Sequence, residues 1–196
     1  MSVFLDPHTA AVVGQFLAGV PVTLPAAPVF PPVQHTTAVI VFADIAGSTR
    51  LTEQLGDRDF HERARTLDAA LRAIVTARRG EPIDGKLLGD GMLAVFTAAT
   101  DALSAALECA AAGDAAGLPL HLGVHAGDVI REAGNVHGGA VNVAARISAR
   151  AAPGEVLVSE VVRALARTST TVTFEDRGHP RLKGVADAPQ LFRVSG

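Results

Sequence analysis

The chain of 196 residues is 48% hydrophobic and 19% charged, with a formal net charge of −3. That length and balance suit one compact domain with a sizeable core, and mild acidity without a basic run argues against nucleic acid as the main partner. No apolar stretch approaches the ~20 residues of a membrane helix, and a single cysteine, Cys109, excludes an internal disulfide and fits a reducing compartment.

Residues 1–36 hold a candidate helix from Thr9 to Leu17, then VPVTLPAAPVFPPVQ, whose prolines favour an extended tether. We read 1–36 as an N-terminal helix and Pro-rich linker, through which a regulatory partner or a second subunit can be reached. With no basic n-region or cleavage site, a cytoplasmic location is expected. The domain then spans 37–196. Its first strand is Ala38 to Ala43, β-branched and aromatic, broken by Gly47 and followed by a helix opening at Ser48-Thr49. Asp57 to Arg79 reads as an amphipathic helix with Leu67, Leu71, Ile74 and Val75 along one side. Ile83 to Leu88 and Met92 to Phe96 form a hairpin around Asp90-Gly91. Thr100 to Ala112 is an alanine-rich helix and Leu118 to His125 a strand. The order is β-α-β-β-α-β: an α/β (α+β) fold with a ferredoxin-like βαββαβ core, its sheet covered on one face by helices. A C-terminal extension follows, with helices at Ala140 to Ala149 and Glu160 to Ala166, and strands at Val156 to Val158, near Val172 and near Phe192.

FADIAGST, Phe42 to Thr49, delivers Asp44 from a strand into a Gly-containing turn. A carboxylate there can hold a hard cation, while the amides of Gly47, Ser48 and Thr49 at a helix N-terminus favour phosphate oxygens. The bland alternative is a solvated acid at an ordinary turn. Asp90 is the second candidate ligand, since divalent ions that process nucleotides are held by one or two carboxylates plus substrate phosphates. A DG dipeptide is equally a turn without any metal. Of 17 basic residues only Lys86 and Lys183 are lysine, so those positions resist the arginine bias and suit a point donor rather than a planar fork. Asn142 and Arg146 stand four apart on a predicted helix and share one face, so one ligand can meet both. A backbone crosslink and a surface ion pair are the alternative. The seven histidines show no zinc-binding spacing with Cys109, which reads as a packing residue.

FADIAGST, KLLGDG, NVHGGAVNVAAR and RLKGV occur in the order found in class III adenylate and guanylate cyclase catalytic domains, and the chain resembles that family over Thr37 to Val194. QFLAGV and HAGDVIREAGN resemble the bacterial branch in which the domain follows another module, often an α/β-hydrolase.

The resemblance implies that 37–196 is a nucleotide cyclase catalytic domain converting ATP to cyclic AMP and pyrophosphate. It implies two divalent cations, Mg²⁺ or Mn²⁺, on Asp44, Asp90 and the carbonyl of Ile45. Phosphates would lie on Gly47 to Thr49 and on Lys183. Asn142 would orient the ribose, and Arg146 would meet the charge growing on the phosphoryl group. Lys86 and Asn135 match the purine-reading pair. Lys86 donates to adenine's ring nitrogen, but Asn135 stands where Asp or Thr is usual, and its amide can face either purine. His137 replaces a frequent aromatic and is expected to pack near the base. The family's shared site implies a homodimer, which would hold two equivalent sites at its interface. The alternatives are a catalytically silent nucleotide-binding module and a guanylate cyclase.

Overall fold

The computed structural model describes residues 34–83, 91–132 and 134–196, all within the unit Pro32–Gly196. The expected leader helix, Lys86 and Asp90 lie outside the described residues.

β1 (Gln34–Ile45) runs past both ends of the expected strand. Its even-numbered residues face one side of the sheet and its odd-numbered residues the other. α1 (Ser48–Leu55) and α2 (Asp57–Ala77) follow, separated by Gly56 at φ 80. Asp57 and Asp59 in the first turn of α2 complement its dipole. Its apolar stripe buries Phe60, Leu67, Leu71 and Val75. β2 (Glu81–Ile83) pairs antiparallel with β3 (Met92–Phe96); β3 is the expected second hairpin strand, β2 starts before the expected first strand, Ile83 to Leu88, and the rest of that strand lies outside the described residues. α3 (Ala99–Ala115) presents Ala102, Ala105, Ala106 and Cys109 to the core, small side chains that allow close packing. β4 (Leu120–Glu132), β5 (Asn135–His137), α4 (Gly139–Ser148), β6 (Val156–Ser159), α5 (Glu160–Ala166), β7 (Thr173–Asp176) and β8 (Leu191–Ser195) complete the chain.

The sheet order is β2-β3-β1-β4-β6-β8-β7, with β5 hydrogen-bonded to β4. Its first four strands thus take the spatial order 4-1-3-2 with antiparallel neighbours, the ferredoxin-like core read from sequence. β6 joins β4 in parallel and β8 closes back antiparallel on β6.

Helices lie on both faces, so the expectation of one covered face needs correction. Val39, Val41 and Ala43 of β1 pack with Leu71, Leu103, Ala106 and Val162 in a core that joins α2, α3 and α5 to the sheet. On the opposite face Ala38, Ile40, Leu93 and Val129 meet Ala140 and Ala144 of α4. The two faces differ because α4 follows β4 and β5 in the extension, beyond the repeat that sets the first face. Ion pairs of Arg78 with Glu108 and of Arg79 with Asp101 (2.7 Å) tie α2 to α3 at the surface.

Candidate functional site

The end of β1 sets one side of the site. Alternation along the strand places Asp44 on the α4 face, in line with Ile40 and Phe42, where it is exposed beside the buried Ile45. The Ala46 amide donates to Pro119 O at 2.8 Å, and Gly47 then turns the chain at φ 64 into α1. A β-carbon built on Gly47 meets nothing closer than Arg50 at 3.8 Å, so the left-handed backbone rather than space calls for glycine. No side chain caps α1. Its first amides, at Ser48 and Thr49, therefore stand at the strand's exit as donors with a favourable dipole.

His121 is a residue that the sequence reading passed over. It pairs with Asp44 across β1 and β4, on the same face, and its Nδ1 is buried without a hydrogen-bond partner among the described residues. A buried polar atom normally has a partner, so this nitrogen is unusual in the fold. The available signal was the alternation of His121 with His125 on one strand.

The second side is a cavity of about 460 Å³ between the sheet and α4. Phe42, Leu93, Val136 and Val141 make its apolar walls, and Asn135, His137 and Asn142 bring polar groups to it. This mixture suits a flat apolar ligand that polar groups orient. Asn135 and His137 arrive on β5, a short strand that the sequence reading missed. It pairs back on β4 with Glu132 opposite Asn135, through Gly134 at φ 78. His137 therefore lies at the cavity.

α4 is held against the sheet by two glycines of β4. A β-carbon on Gly123 would lie 2.2 Å from Ser148 N and 2.4 Å from Ala144 O, and one on Gly127 would lie 3.0 Å from the Ala140 β-carbon. Only glycine lets the helix backbone approach this closely. Ser148 Oγ adds a 2.9 Å hydrogen bond to His121 O. Asn142 and Arg146 ride on this helix one turn apart, both exposed.

Lys183 comes to the far end of α4 on the loop between β7 and β8. Leu182 packs with Ile147, Leu157 and Leu191 in a buried cluster, and Val185 joins it. Val185 N donates to Leu182 O at 3.1 Å, with Gly184 at φ 79, so Lys183 stands at the tip of a tight turn. The loop stem is fixed by Asp176, which accepts from Gly178 N at 2.7 Å and Gln190 Nε2 at 2.8 Å. The Gly178 amide, then Gln190, holds the Asp176 carboxyl below its usual range.

The structure thus gathers Asn135, His137 and Asn142 at one cavity, and brings Arg146 and Lys183 to one end of α4 through Ile147 and Leu182. Asp44 lies on the same face, two residues beyond the cavity wall at Phe42. His125 stands apart, bonded through Nδ1 to the buried Ser159 Oγ at 2.9 Å, and burial lowers its pKa. Burial pushes the Cys109 thiol up to about 12, in keeping with a packing role. Among the described residues, no three His, Cys, Asp or Glu side chains group to hold a metal. A carboxylate and a backbone carbonyl at the end of β1 are hard oxygen donors of the kind Mg²⁺ and Mn²⁺ take. Asp44 and Ile45 are thus chemically fitted to a divalent cation. No helix among the described residues is long and apolar enough to cross a membrane.

Residues 30–195 match the family model of the adenylate and guanylate cyclase catalytic domain. A putative adenylate cyclase 3 of Rhizobium meliloti (strain 1021) is 33% identical over 168 residues, covering 78% of this chain and 27% of the relative. A pH-sensitive adenylate cyclase of Mycobacterium tuberculosis (strain CDC 1551 / Oshkosh) is 33% identical over 160 residues, covering 79% of this chain and 40% of the relative. The chain therefore spans only 27% to 40% of the length of these two curated relatives. Among solved structures, an adenylate/guanylate cyclase/hydrolase from Silicibacter pomeroyi is 28% identical with a TM-score of 0.75, covering 84% of this chain and 99% of that one. The adenylyl cyclase CyaB from P. aeruginosa also superposes with a TM-score of 0.75 at 20% identity, over 85% of this chain and 97% of that one, and shares the fold.

Proposed function

Because the chain belongs to the adenylate and guanylate cyclase catalytic-domain family, we propose that it is an adenylate cyclase that forms 3′,5′-cyclic AMP and pyrophosphate from ATP. The observation that carries this reading is the meeting of Asn135 and Asn142 at one apolar cavity, and Asp44, exposed at the end of β1, would serve the equivalent site of a second copy. Two relatives named as adenylate cyclases support it.

In this reading the purine enters the cavity between Phe42 and Val141, and Asn135 and Lys86 address its edge. Asn142 holds the ribose so that its 3′-oxygen faces the α-phosphorus. That oxygen bonds to the α-phosphorus as the bond to the β-phosphate's bridging oxygen breaks. The hydroxyl's proton passes to water, and pyrophosphate leaves with the bridging oxygen and its electron pair. Arg146 meets the charge that grows on the phosphoryl oxygens, and fixed donors of this kind act without reorganising during the step. Lys183 and the amides of Gly47 to Thr49 hold the remaining phosphates. Asp44, Asp90 and the Ile45 carbonyl would bind two divalent cations, Mg²⁺ or Mn²⁺. Such ions make the hydroxyl more acidic and neutralise the leaving group.

The active unit in this proposal is a homodimer in which one copy supplies the carboxylates and the other supplies Lys86, Asn135, Asn142 and Arg146. Mixing Asp44→Ala subunits with Arg146→Ala subunits tests it. Each parent should be inactive, and a confirmed heterodimer should regain activity at one of its two sites. Heterodimers as inactive as their parents would contradict the shared site.

A further inference from the structure

Ile147 and Leu182 belong to one buried cluster, and four cations lie close to them along the chain. Arg146 precedes Ile147 and Arg150 follows it by three residues, while Arg181 and Lys183 flank Leu182 in the chain. Arg150 stays on the path of α4 because its amide donates to Ile147 O at 2.9 Å in a tightened last turn. All four are exposed, and none forms an ion pair among the described residues. Neighbouring acids are engaged elsewhere. Glu155 accepts from Arg177 at 2.9 Å and from Ala152 N at 2.7 Å, while Asp176 is held by Gly178 and Gln190. On the loop of Lys183 only Asp187 opposes the positive charge.

The catalytic reading uses Arg146 and Lys183 and leaves Arg150 and Arg181 without a task. We propose that Arg150 and Arg181 extend the phosphate-binding surface and hold the departing inorganic pyrophosphate. This rests on the cyclase reading for its ligand, and on packing and charge for its location. Pyrophosphate carries several charges over two phosphates, so it engages more cations at once than a single phosphoryl group. Arginine's planar fork suits paired phosphate oxygens. The structural alternative is that Arg150 only complements the C-terminal dipole of α4. That role would lower thermal stability on substitution and leave pyrophosphate affinity alone.

The test is calorimetric titration of inorganic pyrophosphate, with chelator present, into the wild-type chain, Arg150→Gln, Arg181→Gln, the double variant, and Arg65→Gln. Arg65 is exposed on α2 and removes the same charge at a distance. Each single substitution should weaken pyrophosphate about three- to tenfold, the double variant more than either, and Arg65→Gln by less than twofold. Absent binding to the wild-type chain, a double variant within twofold of it, or an equal loss in Arg65→Gln would overturn the proposal. Cyclic nucleotide production, assayed in parallel, separates the two ideas. A wild-type chain that yields no cyclic nucleotide but shows the graded pyrophosphate losses would retain the surface and refute the cyclase. Cyclic nucleotide formation with flat pyrophosphate affinities would do the reverse.

Discussion

Gly123→Ala is the sharpest probe of how the fold serves the site. The added methyl would lie 2.2 Å from Ser148 N, 2.4 Å from Ala144 O and 2.8 Å from Ser148 Cα, all backbone atoms of one helix. Ordinary contact begins near 3.4 Å, so α4 must withdraw from β4 by about 1 Å. Overpacking of this kind costs about 1–3 kcal/mol. The same movement carries Asn142 and Arg146 with the helix, and a misplacement of about 1 Å can lower turnover on the order of a hundredfold. Gly127→Ala is the matched control, since its methyl meets the Ala140 β-carbon at 3.0 Å and a shift of a few tenths of an ångström relieves it. Turnover would be followed by cyclic AMP formation at saturating ATP. Stability would be followed by circular dichroism in urea, because the chain has no Trp or Tyr to report by fluorescence. We expect Gly123→Ala to lose most turnover while still folded below the urea transition, and Gly127→Ala to lose only a few-fold. Wild-type turnover in folded Gly123→Ala, or an equal loss in Gly127→Ala, would refute the claim that this contact positions the two side chains.

Two further predictions concern buried groups. His125 is half-buried and bonded to Ser159, and burial lowers its pKa below the ordinary 6.5. The unfolded chain then binds this proton more readily than the native one, so His125's contribution to stability is full above about pH 6.5 and declines as pH falls below it. Urea midpoints between pH 7.5 and 5 should fall less steeply in His125→Gln than in the wild-type chain, and parallel slopes would show that His125 does not carry the effect. Cys109, fully buried with its thiol pushed up to about 12, should resist a thiol-specific aromatic disulfide at pH 8 until urea unfolds the chain. Prompt labelling of native protein would mean that the alanine-rich helix α3 is not packed as described.

Local pattern carried the reading of the core a long way. Strand β1, the stripe of Leu67, Leu71 and Val75 with the partly buried Ile74, and the ferredoxin-like strand order follow from residue type and spacing alone, whereas Phe60 joined that stripe only in the structure. The misses come from non-local partners. β1 extends to Gln34 because Gln34 to Ala38 pair with Gly127 to Arg131 of β4, a contact between residues about ninety positions apart. β5 is three residues long and exists only through its pairing with β4. The face chosen by α4 is written in Gly123 and Gly127, four apart on one strand, a spacing that reads as a track for a helix once the strand is known. FADIAGST and NVHGGAVNVAAR pointed to Asp44, Asn135 and Asn142, of which the last two line one cavity, whereas His121 escaped notice because its partner strand was unknown.

The central claim is that this chain cyclises ATP with groups drawn from Asp44, Asn142 and Arg146. The most direct measurement is incubation of purified protein with ATP and Mn²⁺ or Mg²⁺, with chromatographic quantification of cyclic AMP and pyrophosphate. Equimolar cyclic AMP and pyrophosphate from the wild-type chain, and neither from Asp44→Ala, is the predicted result. ATP binding without either product would contradict it.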